Sequence, residues 1–216
     1  HKLLDHKTRI LRDWEKNPSL LEVLEDFNEA MARAGALLIH YRAHFVGKLA
    51  PRAAQIQRDF SGDREELTLS YQTVGTVRNP LGPTVSIYED LRAHQDSHRR
   101  AELEARSCLS GPHKDDLAAW IDGQPARQFA SQGQTRTAAL SLKLAERELF
   151  EDDTGQWPVL LLDDVLSELD ARRQDFVLDR ITGGQVFITS CEAPAGEISR
   201  GKILHIHQGA LVDSPN

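Results

Sequence analysis

The 216 residues predict an α/β fold, a parallel sheet flanked by helices and joined to a helical lobe. Three stretches carry that expectation. Val159 to Leu162 is an apolar run without alternation, which reads as a strand buried on both faces in the middle of a parallel sheet. Asp163 and Asp164 follow at its C-terminal end, the edge where open α/β sheets bind ligands. Ahead of them lie a long helical period over residues 18–60 and a second helix opening near Ser131. Two adjacent carboxylates cost on the order of several kcal/mol to bury unanswered. The pair therefore points to a divalent cation on a nucleotide phosphate, or more plainly to caps on the next helix.

The composition is that of a soluble globular chain, with 40% hydrophobic and 27% charged residues. No apolar run approaches the ~18 residues of a membrane span, and no secretory signal is present. Cys108 and Cys191 fit no metal spacing and read as reduced thiols of a cytoplasmic protein. Opening on His1 in mid-pattern, the sequence looks like the later part of a longer polypeptide. The net charge of −7 is uneven: residues 1–150 hold 21 Lys+Arg against 21 Asp+Glu, and residues 151–216 hold 5 against 12. This is not the basic balance of a nucleic-acid binder, so any DNA contact needs a local patch or a part of the longer polypeptide outside these residues.

Residues 2–15 read as a short helix. Leu20, Leu24, Phe27, Met31, Ala34, Leu38, Tyr41 and Phe45 then recur at heptad spacing, a seam that asks for a partner helix. Asn17 is the expected N-cap with Pro18 at the first helical position, and Pro51 is expected to kink or end the helix. Arg33, Arg42, Lys48, Arg52 and Arg58 read as a solvated basic face, with an arm that embraces DNA or another subunit as the sharper alternative.

Residues 66–74 alternate as a strand. Residues 79–83 are a turn, and Ser86 to Arg106 a surface helix. Ser110-Gly-Pro-His-Lys-Asp-Asp-Leu117 packs His, Lys and two carboxylates into four positions, as an ion-pair network or a site would. A hairpin turns at Asp122-Gly123. Ser131 is a candidate N-cap, and the stripe of Leu140, Leu144, Ala145 and Leu149 follows it. A helix N-terminus with a serine hydroxyl, Gly133 and Arg136 is a ready anion site. Gln185 to Ser190 is a further strand, and Lys202 to His207 another.

The set Ser110-Gly-Pro-His-Lys-Asp-Asp-Leu117, Ala130-Ser-Gln-Gly-Gln-Thr-Arg136 and Leu160-Leu-Leu-Asp-Asp-Val-Leu-Ser-Glu-Leu-Asp170, in this order, resembles the ATPase head of the ABC/SMC superfamily, and within it the RecF family of bacterial recombination mediators. The resemblance implies a helical lobe at 1–65. It also implies, at 66–216, the C-terminal part of an ABC-type head with signature, Walker B and D-loop motifs. In its terms Asp163 acts on Mg²⁺, and Asp164 takes the place of the water-polarising glutamate, with slow ATP hydrolysis as the expected result. Ser131, Gln132, Gly133, Gln134 and Arg136 form the signature that reaches ATP held by a second subunit, and Ser167 and Asp170 belong to the D-loop. The implied partners are double-stranded DNA at gap junctions, a second copy in an ATP-dependent homodimer, RecR and RecO, and indirectly RecA in DNA repair and the SOS response. The implied location is the cytoplasm, with the nucleoid.

Two departures stand out. The phosphate loop G-x-x-x-x-G-K-[ST] is absent, so the expectation is a C-terminal portion that does not bind ATP tightly alone. Thr189, Ser190 and Cys191 stand where many ABC ATPases keep a switch histidine. A different reading is an SMC-like head fragment of chromosome structure or break repair, which should continue its heptads much further. A third is a metal-dependent hydrolase using Asp163 and Asp164 with Asp115 and Asp116.

Overall fold

The computed structural model describes residues 2–191 and 201–212, with Glu168 described by its backbone alone. The chain divides into two compact units, 1–153 and 154–216.

The first unit is built on helices α1 (Lys2–Asp13), α2 (Leu20–Ser61) and α3 (Thr84–Ala105). At the start of α2, Asn17 opens a tight turn by accepting from the Leu20 N–H, and its side chain takes the Ser19 hydroxyl, so the helix begins at Leu20, two residues later than the predicted start at Pro18. Pro51 neither ends nor divides α2. Leu49, Ala53 and Ile56 are buried on both sides of it, and that packing outweighs the ~3 kcal/mol an interior proline costs. The helix closes on Gly62 at φ 64°, the left-handed conformation in which its N–H reaches back to the last carbonyls.

The heptad seam holds only through Met31. Beyond it the buried face runs through Ala32, Gly35, Ala36, Ile39, Ala43, Val46 and Leu49, while Leu38, Tyr41 and Phe45 face solvent. A straight α-helix drifts ~20° per heptad against a 3.5-residue repeat, so the strict spacing walks off the packed face. At Gly35 the packing leaves little room for a side chain: a Cβ there would stand 3.1 Å from Leu91 Cδ1 of α3 and 3.1 Å from Pro112 Cδ. The predicted surface helix α3 is accordingly a packing helix, burying Ile87 and Leu91 against Ala32, Ala36 and Ile39. A second cluster joins Ile10 and Leu11 of α1 to Leu24, Met31 and Cys108.

Strand β1 (Leu67–Gln72) pairs antiparallel with β2 (Asp116–Ile121), which pairs in turn with β3 (Gln124–Pro125). Asp122 and Gly123 form the predicted two-residue turn, both at positive φ (51° and 75°), as a primed turn requires. A short helix α4 (Ala126–Phe129) leads into α5 (Gln132–Thr154), whose Leu140, Leu144, Ala145 and Leu149 are buried as expected.

In the second unit β4 (Leu160–Asp163) runs parallel to β5 (Val186–Thr189), with α6 (Ala171–Arg180) as the crossover, the βαβ unit of an α/β fold. Here the expectation of a strand buried on both faces fails. Leu160 and Leu162 are buried, but Leu161 is 70% and Val159 56% exposed. Among the described residues β4 has one strand neighbour and one crossover helix, enough to cover a single face. A hairpin of β6 (His205–His207) and β7 (Ala210–Val212) follows, the former shorter than the predicted 202–207.

Candidate functional site

The parallel register sets Asp163 opposite Thr189 at the C-terminal end of the β4–β5 pair. The Thr189 hydroxyl donates to Asp163 Oδ1. The Asp164 N–H is shared between the Thr189 carbonyl and its hydroxyl, both at 3.1 Å. Asp164 itself has φ 54°, an uncommon conformation for a non-glycine residue. It is held there from the other side as well: Ser167 Oγ lies 2.7 Å from Asp164 Oδ1 and 2.9 Å from its carbonyl oxygen. Both aspartates are exposed at the strand edge.

Ser167 lies in a 3₁₀ turn (Leu166–Glu168) whose Leu166 is buried, and Leu169 is buried just beyond it. Asp170 ends this segment and caps α6, accepting from the Arg173 N–H at 3.0 Å. The plain capping role foreseen for an aspartate after this strand therefore falls to Asp170, and Asp163 and Asp164 are left at the edge.

In the first unit Ser131 caps α5 reciprocally. Its hydroxyl accepts from the Gln134 N–H at 3.2 Å, and its own N–H donates to Gln134 Oε1 at 3.0 Å. This capping box shapes the helix start before any ligand arrives. Ser131, Gln132 and Gly133 are exposed, and Gln134 and Arg136 half-buried. A Cβ at Gly133 would meet nothing within 4 Å, so the unit itself leaves room for an incoming group there.

The Gly-Pro-His-Lys-Asp-Asp segment forms an ion-pair and hydrogen-bond network. The Asp115 side chain is only 2% exposed and receives the Tyr71 hydroxyl and Arg42 Nη1, the latter at 3.3 Å. Arg42 also reaches the Pro112 carbonyl at 2.7 Å. Burial beside this carboxylate pushes the Tyr71 phenol far above its ordinary range. Asp116 pairs instead with Arg127. The network ties α2 to β1 and to the segment just before β2, and among the described residues no set of three or more His, Cys, Asp or Glu could hold a metal. The hydrolase reading that joined Asp115 and Asp116 to Asp163 and Asp164 loses its motive, because Asp115 is spent on Tyr71 and Arg42.

Thr189 is the residue that sequence reasoning passed over. In the sequence it stands out only as the absence of a histidine, and its contact with Asp163 depends on a strand register that no local pattern reveals.

No protein-family model matches the chain. Curated relatives do. "DNA replication and repair protein RecF" of Desulforamulus reducens is 39% identical over 190 residues, covering 88% of this chain and 51% of the relative. Its Bacillus subtilis counterpart is 35% identical over 226 residues, covering 98% and 58%. Among solved structures, one described as the recombination mediator protein RecF with ATP in the RecFOR pathway matches with TM-score 0.84 at 33% identity, covering 98% of this chain and 55% of that one. Another, with ATPrS, matches with TM-score 0.83 at 32% identity. The chain spans about half the length of the curated relatives it matches. By sequence and by fold together, it belongs to the RecF family and corresponds to the C-terminal part of its members.

Proposed function

We propose that this chain supplies the metal edge and the trans-acting signature of an ATP-driven DNA-repair protein of the RecF type. Phosphoryl transfer is largely positioning and charge neutralisation. Asp163 would hold Mg²⁺, an ion that takes one or two carboxylates and fills its other positions with water and phosphate oxygens. The fit rests on Asp163: one oxygen is tied by Thr189, and the carboxylate sits exposed at the sheet edge. Asp164, fixed by Ser167 and Thr189, would orient the attacking water, and its short side chain suits slow turnover.

The signature residues Ser131, Gln132, Gly133, Gln134 and Arg136 would meet the phosphates of ATP held by a second copy, with Ser167 and Asp170 at the contact between copies. ATP then acts as a glue: binding favours the closed dimer and hydrolysis releases it. In this reading residues 1–65 serve as a helical lobe and 66–216 as the C-terminal part of the head. The substrate surface is double-stranded DNA at single-strand junctions, and the partners are RecR and RecO, with RecA loaded downstream. Among the described residues no helix is long and apolar enough to cross a membrane.

The observation that carries the proposal is the pinned pair Asp163–Asp164 at the C-terminal end of β4. It is tested by Asp163→Asn in a RecF-length protein carrying this chain. ATP turnover should be lost while nucleotide binding and the far-ultraviolet circular dichroism persist. Unchanged turnover removes the metal assignment.

A further inference from the structure

Away from the strand edge, α2 carries two histidines one turn apart in a geometry that the proposed function does not use. His40 Nδ1 lies 3.1 Å from the Gly82 carbonyl oxygen, and His44 Nδ1 lies 2.9 Å from the His40 carbonyl oxygen. A carbonyl oxygen only accepts, so in both rings Nδ1 carries the hydrogen. In a neutral imidazole the opposite nitrogen, Nε2, then presents a lone pair. This is the tautomer and the outer bond found in metal-ligating histidines, which nearly always donate the other ring N–H to a carbonyl or carboxylate.

The spacing is also that of a chelate. Positions i and i+4 share one helix face. The two ring centroids are 4.1 Å apart with planes tilted by 44°. Two nitrogens at Zn–N distances of about 2.0–2.1 Å on one tetrahedral ion stand roughly 3.4 Å apart, a separation that rings this close can adopt. His44 is exposed and His40 half-buried, so an ion can reach the pair from solvent.

We propose that His40 and His44 form a two-histidine site for Zn²⁺. No third His, Cys, Asp or Glu completes a set among the described residues, so the remaining positions take water and the ion exchanges readily. Imidazole nitrogens select late first-row metals over Mg²⁺, which prefers oxygen, so this site and the carboxylate edge draw on different ions. Because His40 also binds the 79–83 turn through Gly82, the ion would brace α2 against that turn. It would then stabilise the native chain by mass action.

The experiment titrates ZnCl₂ into the 216-residue chain by calorimetry and repeats thermal melts with and without the metal. One equivalent should bind, raising the melting temperature, and MgCl₂ should do neither. His44→Ala, whose lost ring bonds only its own helix, should keep the circular dichroism of the parent and lose that equivalent. His44→Cys, which restores a zinc ligand, should recover it. A double His205→Ala/His207→Ala variant, altering the histidine pair of β6, should bind as the parent does. The proposal is overturned by an equivalent that survives His44→Ala, by one that disappears with His205 and His207, or by no binding at millimolar Zn²⁺.

Discussion

The Thr189 hydroxyl donates to the carboxylate of Asp163 and accepts from the N–H of Asp164, so one side chain of β5 sets both acidic residues of β4. Outer partners of metal ligands typically change metal affinity by about 10–100-fold when removed. With Asp163 in its proposed role on Mg²⁺, Thr189→Val in a RecF-length protein carrying this chain should raise the Mg²⁺ concentration for half-maximal ATP turnover by about tenfold. Thr189→Ser should restore it. A Mg²⁺ dependence identical in all three proteins would show that Thr189 merely fills space.

Ser131 makes a separate and local prediction. Ser131→Arg places a long cation where the signature would meet a second copy's nucleotide. ATP-driven dimerisation, read by light scattering, should weaken by about tenfold or more, with nucleotide binding by the monomer unaltered. Ser131→Ala removes only the cap, at a cost of about 1 kcal/mol, and separates helix fraying from the loss of the contact. Failure of nucleotide binding in Ser131→Arg would refute the trans role.

The core holds an ion pair whose disruption should be costly. Lys7 Nζ on α1 lies 2.7 Å from Glu102 Oε2 on α3, with side chains 0% and 3% exposed. The other Glu102 oxygen accepts from the N–H groups of Leu109 (2.7 Å) and Ser110 (3.2 Å), fixing the start of the Ser-Gly-Pro-His segment. Lys7→Met strands a buried carboxylate and should cost about 3–5 kcal/mol, read from urea unfolding. Adding Glu102→Gln removes the charge and keeps the acceptor, so the double variant should regain at least half of the loss.

His94 gives the pH dependence. It is buried, with Nδ1 2.7 Å from Ser110 Oγ and its ring stacked on His98. Burial first, then the neighbouring His98, depresses its pKa below the ordinary 6.5; Lys7 acts in the same direction and Glu102 against it. A histidine with a depressed folded pKa binds its proton more readily when unfolded, so stability is full above the unfolded pKa and falls as pH drops through and below 6.5. Urea midpoints should decline from pH 7.5 to 5.5, and His94→Gln should flatten the decline. An equally steep decline in the variant would assign the effect elsewhere.

The parts of the fold that could be read in advance are those set by neighbours in sequence. The Asp122-Gly123 turn, the buried stripe of α5 and the Ser131 cap arise within a few residues, and each stands as expected. The reciprocal bond from Gln134 was legible too, in the Ser-x-x-Gln spacing. What misled was extrapolation over distance. The 3.5-residue seam leaves the packed face beyond Met31, and the effect of Pro51 depends on Leu49, Ala53 and Ile56 packed on both sides of it.

By itself, then, the chain's sequence determined the α/β class, the order of helix cap, strand and acidic pair, and the turn chemistry, because these follow from short-range sterics and hydrogen bonding. Only the tertiary structure decided that Thr189 faces Asp163, that Lys7 meets Glu102, and that Leu160 and Leu162 of β4 are buried while Leu161 is exposed. Those contacts join residues far apart in the chain, and their selection depends on strand register and helix packing, which no local pattern encodes.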